Sequence, residues 1–272
     1  ATLEPAFNNF TSSMQALASS PEASSTRSAA ISAAQVLAQQ LNSMSNGIQA
    51  LRSDAELGLS DAVSRANNAM SQIAAINRQL ALNTAPDAAT ATLLDQRDTY
   101  IDELSQLMDV RVIASDHNQV NVFTNSGIQL VGTEASQLAF DAQGTMMPSS
   151  QWAADPSTRS VGTITLVTPT GGKVDLLQAG AIRSGEIAAY VEMRDQVLVE
   201  AQSQLDELAA AMSSALSNAT VPGNAVTSGT GEQGFDVDTT GMLAGNHINL
   251  TYTDTLTGKQ HNVSIVRVDD PS

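Results

Sequence analysis

Residues 93–112 read LLDQRDTYIDELSQLMDVRV, and their hydrophobic period changes part-way along the stretch. The first part carries apolar residues at the spacing of one face of an α-helix, namely Leu94, Ile101, Leu104 and Met108. From Val110 onward, apolar and polar residues begin to alternate, as in a half-buried strand. The stretch therefore predicts a helix that leads directly into a sheet, and an α+β fold class.

Three carboxylates share another face of this predicted helix: Asp95, Asp98 and Asp102. A catalytic pair of carboxylates needs apolar neighbours that raise the pKa of one member, and this face carries none. A metal site would need a histidine or a rigid loop close by, and the stretch has neither. We therefore interpret the acids as the solvated or salt-bridged side of a structural helix, and we assign no catalytic, cofactor-binding or metal-binding residue.

On the N-terminal side of this stretch, residues 25–82 contain no proline and repeat apolar or small residues at heptad spacing. The repeat runs through Ala34, Leu37, Leu41, Met44, Ile48, Leu51 and Ala55, and then through Leu59, Val63, Ala66, Met70, Ile73, Asn77 and Leu80. The step at Ala55 is a stutter, which locally unwinds a coiled coil. As one helix the segment would be roughly 87 Å long, although Gly47 and Gly58 are points where it could bend or break.

Residues 83–87 have turn chemistry, so the helix that contains residues 93–108 is expected to fold back antiparallel to the first. A third heptad repeat follows between residues 187 and 219. The predicted bundle core of these two later helices is Leu94, Ile101, Leu104, Met108, Val191, Leu198, Leu205, Leu208 and Met212.

Two arginines occupy positions in these apolar repeats, Arg97 and Arg194, and an aspartate follows each of them, Asp98 and Asp195. Buried polar pairs specify alignment more reliably than they add stability. We therefore expect both arginines to pair with carboxylates on the facing helix and to fix its register.

Short runs of period two separate and follow the helices. They predict an elongated antiparallel bundle of long helices with inserted and appended small β domains. The expected divisions are a helical hairpin (1–109), a small β insertion (110–182), a returning helix (183–218) and the start of an outer β domain (219–272).

The composition excludes several classes of function. The net charge of −16 disfavours binding to nucleic acid or to an anionic membrane surface. The absence of cysteine removes thiol catalysis, zinc thiolates and disulfides. No apolar run approaches the ~18 residues of a membrane span, and no cleavable signal peptide is visible at the N-terminus. The Ser-, Thr- and Asn-rich composition is typical of exported bacterial surface proteins.

Other motifs are weak. Residues 229–234 match G-x-G-x-x-G, but they lack the preceding strand and following helix of a dinucleotide site. Residues 236–241 resemble the start of a calcium loop, but His247 stands where the bidentate glutamate should be. His247 and His261 could meet across a hairpin, yet two imidazoles without a third ligand make a poor metal site. No cofactor is expected.

The amino-acid sequences of several segments resemble those of a known protein family. Residues 93–112, with QVNVFTNSGIQLVG at 119–132, resemble the hook-associated protein 1 family of bacterial flagella. So do residues 184–218, SGEIAAYVEMRDQVLVEAQSQLDELAAAMSSALSN, and residues 7–31, FNNFTSSMQALASSPEASSTRSAAI. The order and spacing agree over about residues 7–218, and the tail from residue 234 resembles the outer β region of some members less specifically.

This resemblance implies a non-enzymatic protein of the hook–filament junction, with long helices in the inner wall and β units outside. It implies the central part of such a protein, without its terminal segments, which should not polymerise unaided. The implied partners are copies of itself in a ring, hook protein, hook-associated protein 3 and, through the C-terminal segment, an export chaperone. Its implied location is the extracellular flagellum, reached by type III export without a cleaved signal.

Two alternatives stay open on the sequence alone. The chain could be another flagellar axial protein, such as a flagellin-like one or hook-associated protein 3. It could also be a periplasmic or extracellular coiled-coil sensor or adhesin module. An enzyme would require a deep pocket that encloses Asp95, Asp98 and Asp102.

Overall fold

The structure is a computed structural model that describes residues 3–82, 87–217, 221, 223–227, 229–231, 233–243, 246–253 and 257–268. It contains long helices and small antiparallel sheets, which confirms the predicted α+β class. The chain divides into two compact units, Ala1–Met212 and Ser213–Ser272, and each is described by itself.

Long helices dominate the first unit. They are α1 (Leu3–Ser19), α2 (Ser24–Leu82), α3 (Ala88–Leu107) and the part of α5 (Leu198–Ser217) up to Met212. A shorter helix, α4 (Glu186–Glu192), precedes α5. A single turn of π-helix, Met193–Val197, connects α4 to α5 and is named the π-turn below. Asp87 caps α3, because its side chain accepts a hydrogen bond from Thr90 N.

Helix α2 is one continuous helix of 59 residues, which corresponds to a length of roughly 88 Å. It does not break into two helices at Gly47 or Gly58. At Gly58 a Cβ atom would lie only 2.5 Å from Cζ of Tyr190, so this glycine lets the Tyr190 ring of α4 lie close against the α2 backbone. The glycine therefore serves packing between helices.

The apolar repeat of α2 is buried in its second half, but its first half departs from the prediction. From Leu59 to Leu80 the expected positions are buried. Before them Leu51 is 55% exposed, while its neighbour Arg52 is fully buried. Polar contacts from Met147, Ser150 and the π-turn select Arg52 for the interior, as shown below.

Helix α1 was not predicted from the sequence. It packs against the start of α2, where Phe10 contacts Ala33 and Leu37 to form a small second core. Pro21 and Glu22 lie in the turn between α1 and α2, and α2 begins at Ser24.

Two three-stranded antiparallel sheets lie between α3 and α4 in the chain. The first contains β1 (Val110–Ala114), β2 (Val120–Thr124) and β3 (Gln129–Val131). The second contains β4 (Gln137–Phe140), β5 (Ile164–Val167) and β6 (Lys173–Asp175), of which β6 was not predicted. The main core forms where the second half of α2, the end of α3 and the start of α4 meet the inner faces of these sheets.

Two asparagines of α2 dock the sheets through paired hydrogen bonds to a strand backbone. Asn77 donates to Val120 O at 2.7 Å and accepts from Val120 N at 3.1 Å. Asn67 makes the same pair of bonds with Leu138, at 2.8 and 2.7 Å. Each amide thus satisfies a backbone donor and acceptor that would otherwise be costly to bury.

The second unit contains two antiparallel hairpins among its described residues. They are β7 (Asn224–Thr227) with β8 (Gln233–Asp236), and β9 (His247–Thr253) with β10 (Gln260–Val266). His247 pairs with Val266 and His261 pairs with Tyr252, so the two histidines stand at opposite ends of their hairpin and do not meet.

Asp175 of β6 is a local anchor of the second sheet. It accepts hydrogen bonds from the Thr163 hydroxyl (2.9 Å), from Gln178 N (3.0 Å) and from Arg159 Nη1 (2.9 Å). Partial burial acts to raise the pKa of Asp175, but these hydrogen bonds and the charge of Arg159 outweigh it and hold the pKa below its ordinary 3.8.

Replacing Asp175 by asparagine should lower the free energy of unfolding by about 1–3 kcal/mol at neutral pH, since buried hydrogen bonds to a charged group are lost. Because the folded pKa is depressed, this stabilisation is present above pH 4 and disappears as the pH falls below the ordinary value. Urea unfolding at pH 7 and near pH 3 measures both effects. The exposed Asp95→Asn variant is the control, and an Asp175→Asn difference that persists unchanged at pH 3 would contradict this account.

Candidate functional site

A buried group of four charged side chains joins α2 to the π-turn. This charge cluster consists of Arg52, Glu56, Arg194 and Asp195. Arg194 Nη1 donates to Glu56 Oε2 at 2.7 Å, and its Nε and Nη2 donate to the two carboxylate oxygens of Asp195 at 2.7 and 2.8 Å. Two cations and two anions balance, which is the condition under which charges are tolerated in an interior.

The surroundings keep Arg194 charged. Burial acts to lower the pKa of Arg194, but the hydrogen bonds and charges of Asp195 and Glu56 outweigh it, and the pKa lies above its ordinary value. Burial lowers the pKa of Arg52, and Asp195 is the strongest charge that opposes this shift. Both arginines are fully buried, so their hydrogen bonds replace those that water would otherwise make.

The same cluster holds the long β4–β5 connection on α2. Arg52 donates from Nη1 to Met147 O at 3.1 Å and from Nη2 to Ser150 O at 2.5 Å. Glu56 accepts from Gln143 N at 2.8 Å. The two side chains lie one helical turn apart, so a single stretch of α2 anchors both ends of the segment 143–150.

Polar contacts continue from the cluster along the α2–α5 interface. Arg52 Nη1 donates to Gln49 Oε1 at 3.2 Å, and Gln49 Nε2 donates to Gln202 Oε1 at 3.0 Å. Gln202, which is 4% exposed, also accepts from the Ser45 hydroxyl and donates to Asp206. The interface between the two long helices therefore carries a continuous hydrogen-bonded row rather than an unbroken apolar seam.

A second ionic group lies nearer the surface. Arg65 of α2 contacts Glu186 of α4 at 3.0 Å, Asp61 at 3.7 Å and Glu103 of α3 at 3.9 Å. Its side chain is 37% exposed, so solvent screening leaves these pairs a small contribution to stability. The group bridges three helices and confirms that α3 runs back along α2.

Comparison with known proteins places this arrangement in a family. The family model described as the flagellar hook-associated protein FlgK helical domain matches residues 1–235. The chain belongs to this family. Flagellar hook-associated protein 1 of Escherichia coli is 28% identical over 89% of this chain and 42% of its own length. That of Salmonella typhimurium is 27% identical over 99% of this chain and 47% of its own.

A solved structure agrees with the family assignment. The flagellar hook junction protein FlgK from Burkholderia pseudomallei is similar to this chain with a TM-score of 0.67 and 27% identity. The likeness covers 100% of this chain and 52% of that protein. This FlgK family chain therefore spans about half the length of the relatives that it matches.

Arg97 and Arg194, the two arginines predicted to pair with the facing helix, make different contacts in this FlgK family chain. The structure places Arg194 against Glu56 of the facing helix. Arg97, by contrast, contacts Asp98 of its own helix at 3.2 Å and donates to Asn118 O at 2.6 Å in the β1–β2 connection. The expectation of a facing-helix carboxylate for Arg97 is therefore wrong, because a loop carbonyl lies within its reach.

The bundle-core candidates lie in the interior to differing degrees. Leu104, Met108, Leu198 and Leu205 are buried. The partly buried ones are Leu94, Ile101, Val191, Leu208 and Met212. Leu104 and Met108, at the end of α3 that leads into β1, are the most enclosed.

The acidic face of α3 is open to solvent. Asp95, Asp98 and Asp102 are all exposed, so no deep pocket encloses them. Among the residues that the structure describes, no three His, Cys, Asp or Glu side chains group as a metal site would require. In the glycine motif, Gly231 lies in a bend and Gly234 in β8, while Glu232 lies outside the described residues. The expectation that no strand precedes the motif is wrong, because β7 does, but a strand rather than a helix follows.

Several residues of the charge cluster and of the hydrogen-bonded row beside it were missed from the sequence: Gln49, Arg52, Glu56 and Gln202. The Arg52–Glu56 spacing of one helical turn was visible, but a surface pair has the same spacing. None of the described helices combines the length and the apolar composition that a membrane span requires. What the site can do chemically is hold two helices and a loop in one alignment, since its charged groups bind each other.

Proposed function

We propose that this chain is part of a structural protein at the hook–filament junction of a bacterial flagellum, and that it catalyses no reaction. The observation that carries the proposal is its likeness, over the whole of this chain, to a solved flagellar hook junction protein. The match of residues 1–235 to the helical domain of the same family supports it.

The side-chain arrangement supports a structural role. The buried charges of Arg52, Glu56, Arg194 and Asp195 are bound to one another or to backbone groups. The carboxylates of α3 face solvent rather than a cleft. Such an interior resists relative sliding of α2 and α5, because any slip would leave buried charges without partners. A junction between two filaments of different stiffness needs that resistance.

The proposed partners follow from the family. They are further copies of the same protein in a ring, hook protein on one side and hook-associated protein 3 on the other. We also propose export to the cell exterior without a cleaved signal peptide, and recognition of a C-terminal segment by an export chaperone. Binding to nucleic acid or membrane is not part of the proposal, since the net charge of −16 opposes both.

Immunogold labelling tests the location. Antibody raised against residues 1–272 should place gold at the distal end of the hook on intact flagella and on isolated hook–basal bodies. Cells deleted for the gene provide the control for antibody specificity.

The alternatives predict different patterns. Gold along the whole filament would favour a flagellin-like axial protein. Gold on the cell body, with unlabelled flagella, would overturn the proposal in favour of a sensor or adhesin module.

A further inference from the structure

The π-turn leaves the backbone carbonyl of Arg194 available to a hydrogen-bond donor from outside the helix. Leu198 N donates to Met193 O, five residues back, rather than to Arg194 O four residues back. Arg194 O instead accepts a hydrogen bond from Arg52 Nε at 3.1 Å, and the bond is buried. A side chain of α2 thus occupies the acceptor that an α-helical turn would use internally.

The other nitrogens of the Arg52 guanidinium are hydrogen-bonded as well. Its other nitrogens donate to Gln49 Oε1, Met147 O and Ser150 O, and the side chain is fully buried. A shorter or singly donating side chain could not reach all four acceptors, because only the guanidinium carries donors in a fixed fork.

We propose that Arg52 is a positioning residue that stabilises the π form of residues 193–197, so that arginine and π-turn form one unit. In an α-turn the carbonyl of residue 194 would accept from the helix itself, and Arg52 Nε would be buried without its acceptor. Without Arg52, the π-turn would bury a carbonyl without its donor. Each feature therefore depends on the other.

The π-turn also lets two parts of the returning helix face α2 together. Arg194 reaches Glu56 on one side of the turn, and Leu198 enters the core on the other. Gln202 follows four residues later and is also buried. The buried residues Arg194, Leu198 and Gln202 are thus four residues apart, whereas an uninterrupted heptad repeat would place Ala201 in the last of these positions.

Deletion of Gln196 converts the π-turn into an α-turn with little other change. Gln196 is exposed. After its removal, Leu198 is four residues beyond Met193, so the existing Leu198 N to Met193 O bond becomes an ordinary α-helical bond. The helices on either side keep their phase, and residue 194 O gains Val199 N as its donor.

The test is a thermodynamic cycle of four chains: unchanged, Arg52→Met, the Gln196 deletion, and both changes together. We expect the deletion to lower the urea midpoint in the unchanged chain, because Arg52 Nε loses its acceptor. In the Arg52→Met chain the same deletion should raise the midpoint, because it satisfies the orphan carbonyl. A deletion that lowers the midpoint equally in both backgrounds would overturn the proposal.

Arg65→Met is the matched control, since Arg65 lies on the same helix and contacts α4 through Glu186, which lies outside the π-turn. The deletion should lower the midpoint of Arg65→Met as much as that of the unchanged chain. Hydrogen exchange gives an independent measurement if a deletion chain does not fold. Arg52→Met should speed amide exchange of residues 193–199 at least tenfold relative to Arg65→Met, and equal exchange in the two variants would refute the proposal.

Discussion

Replacing Arg194 by methionine is expected to lower the free energy of unfolding by about 3–5 kcal/mol, the range for removing one partner of a buried ion pair. Arg194 is fully buried and donates to both Glu56 and Asp195. Methionine fills much of the volume but leaves two carboxylates with Arg52 as the only other cation of the cluster. The loss should therefore exceed that of any exposed charge.

Urea unfolding followed by far-ultraviolet circular dichroism measures this loss. Arg65→Met provides the matched comparison, because it removes the same charge from an ion pair whose arginine side chain is 37% exposed. We expect it to cost no more than about 1 kcal/mol. Equal losses for Arg194→Met and Arg65→Met would show that the charge cluster does not hold α2 and α5 together.

Replacing Gly185 by alanine is expected to destabilise the first unit by more than about 3 kcal/mol, because backbone strain and a backbone collision act together. Gly185 caps α4 with φ 89° and ψ 179°, a region that only glycine populates readily. An added Cβ would lie 2.6 Å from Leu107 O and 2.8 Å from Met108 N. Neither backbone atom can move without displacing the end of α3.

Gly180→Ala separates the two causes. Gly180 also has a positive φ, 59°, but a Cβ there would meet nothing within 4 Å. It should cost only the strain of a left-handed residue, about 1–2 kcal/mol. Thermal unfolding of both variants measures the difference, and a Gly185→Ala loss no larger than that of Gly180→Ala would contradict the close packing of α4 on α3.

Much of the fold followed from periodicity. The heptad repeats predicted α2, α3 and the returning helix, and the switch to period two at Val110 predicted the first sheet. These signals are local, because an apolar face must repeat at the period of its own element. Helix α1 was missed because its pairing with the start of α2 depends on only a few residues around Phe10.

The charge cluster and the hydrogen-bonded row beside it could not be predicted in the same way. Arg52 contacts a carbonyl 142 residues away, and the local apolar repeat selects its neighbour Leu51 for the interior instead. The π-turn was hidden too, since the spacing from Arg194 to Leu198 suits both an α-helix and a π-turn. A carboxylate partner for Arg194 on the facing helix was expected, because a charged residue in an apolar repeat requires a partner.

Electron microscopy of cells that lack the gene, combined with an assay for flagellin in the culture medium, tests the proposed junction role most directly. We expect hooks without filaments and unpolymerised flagellin released into the medium, both reversed by the restored gene. Normal filaments and normal swimming in the deleted cells would contradict it and would favour a sensor or adhesin role for this helical protein.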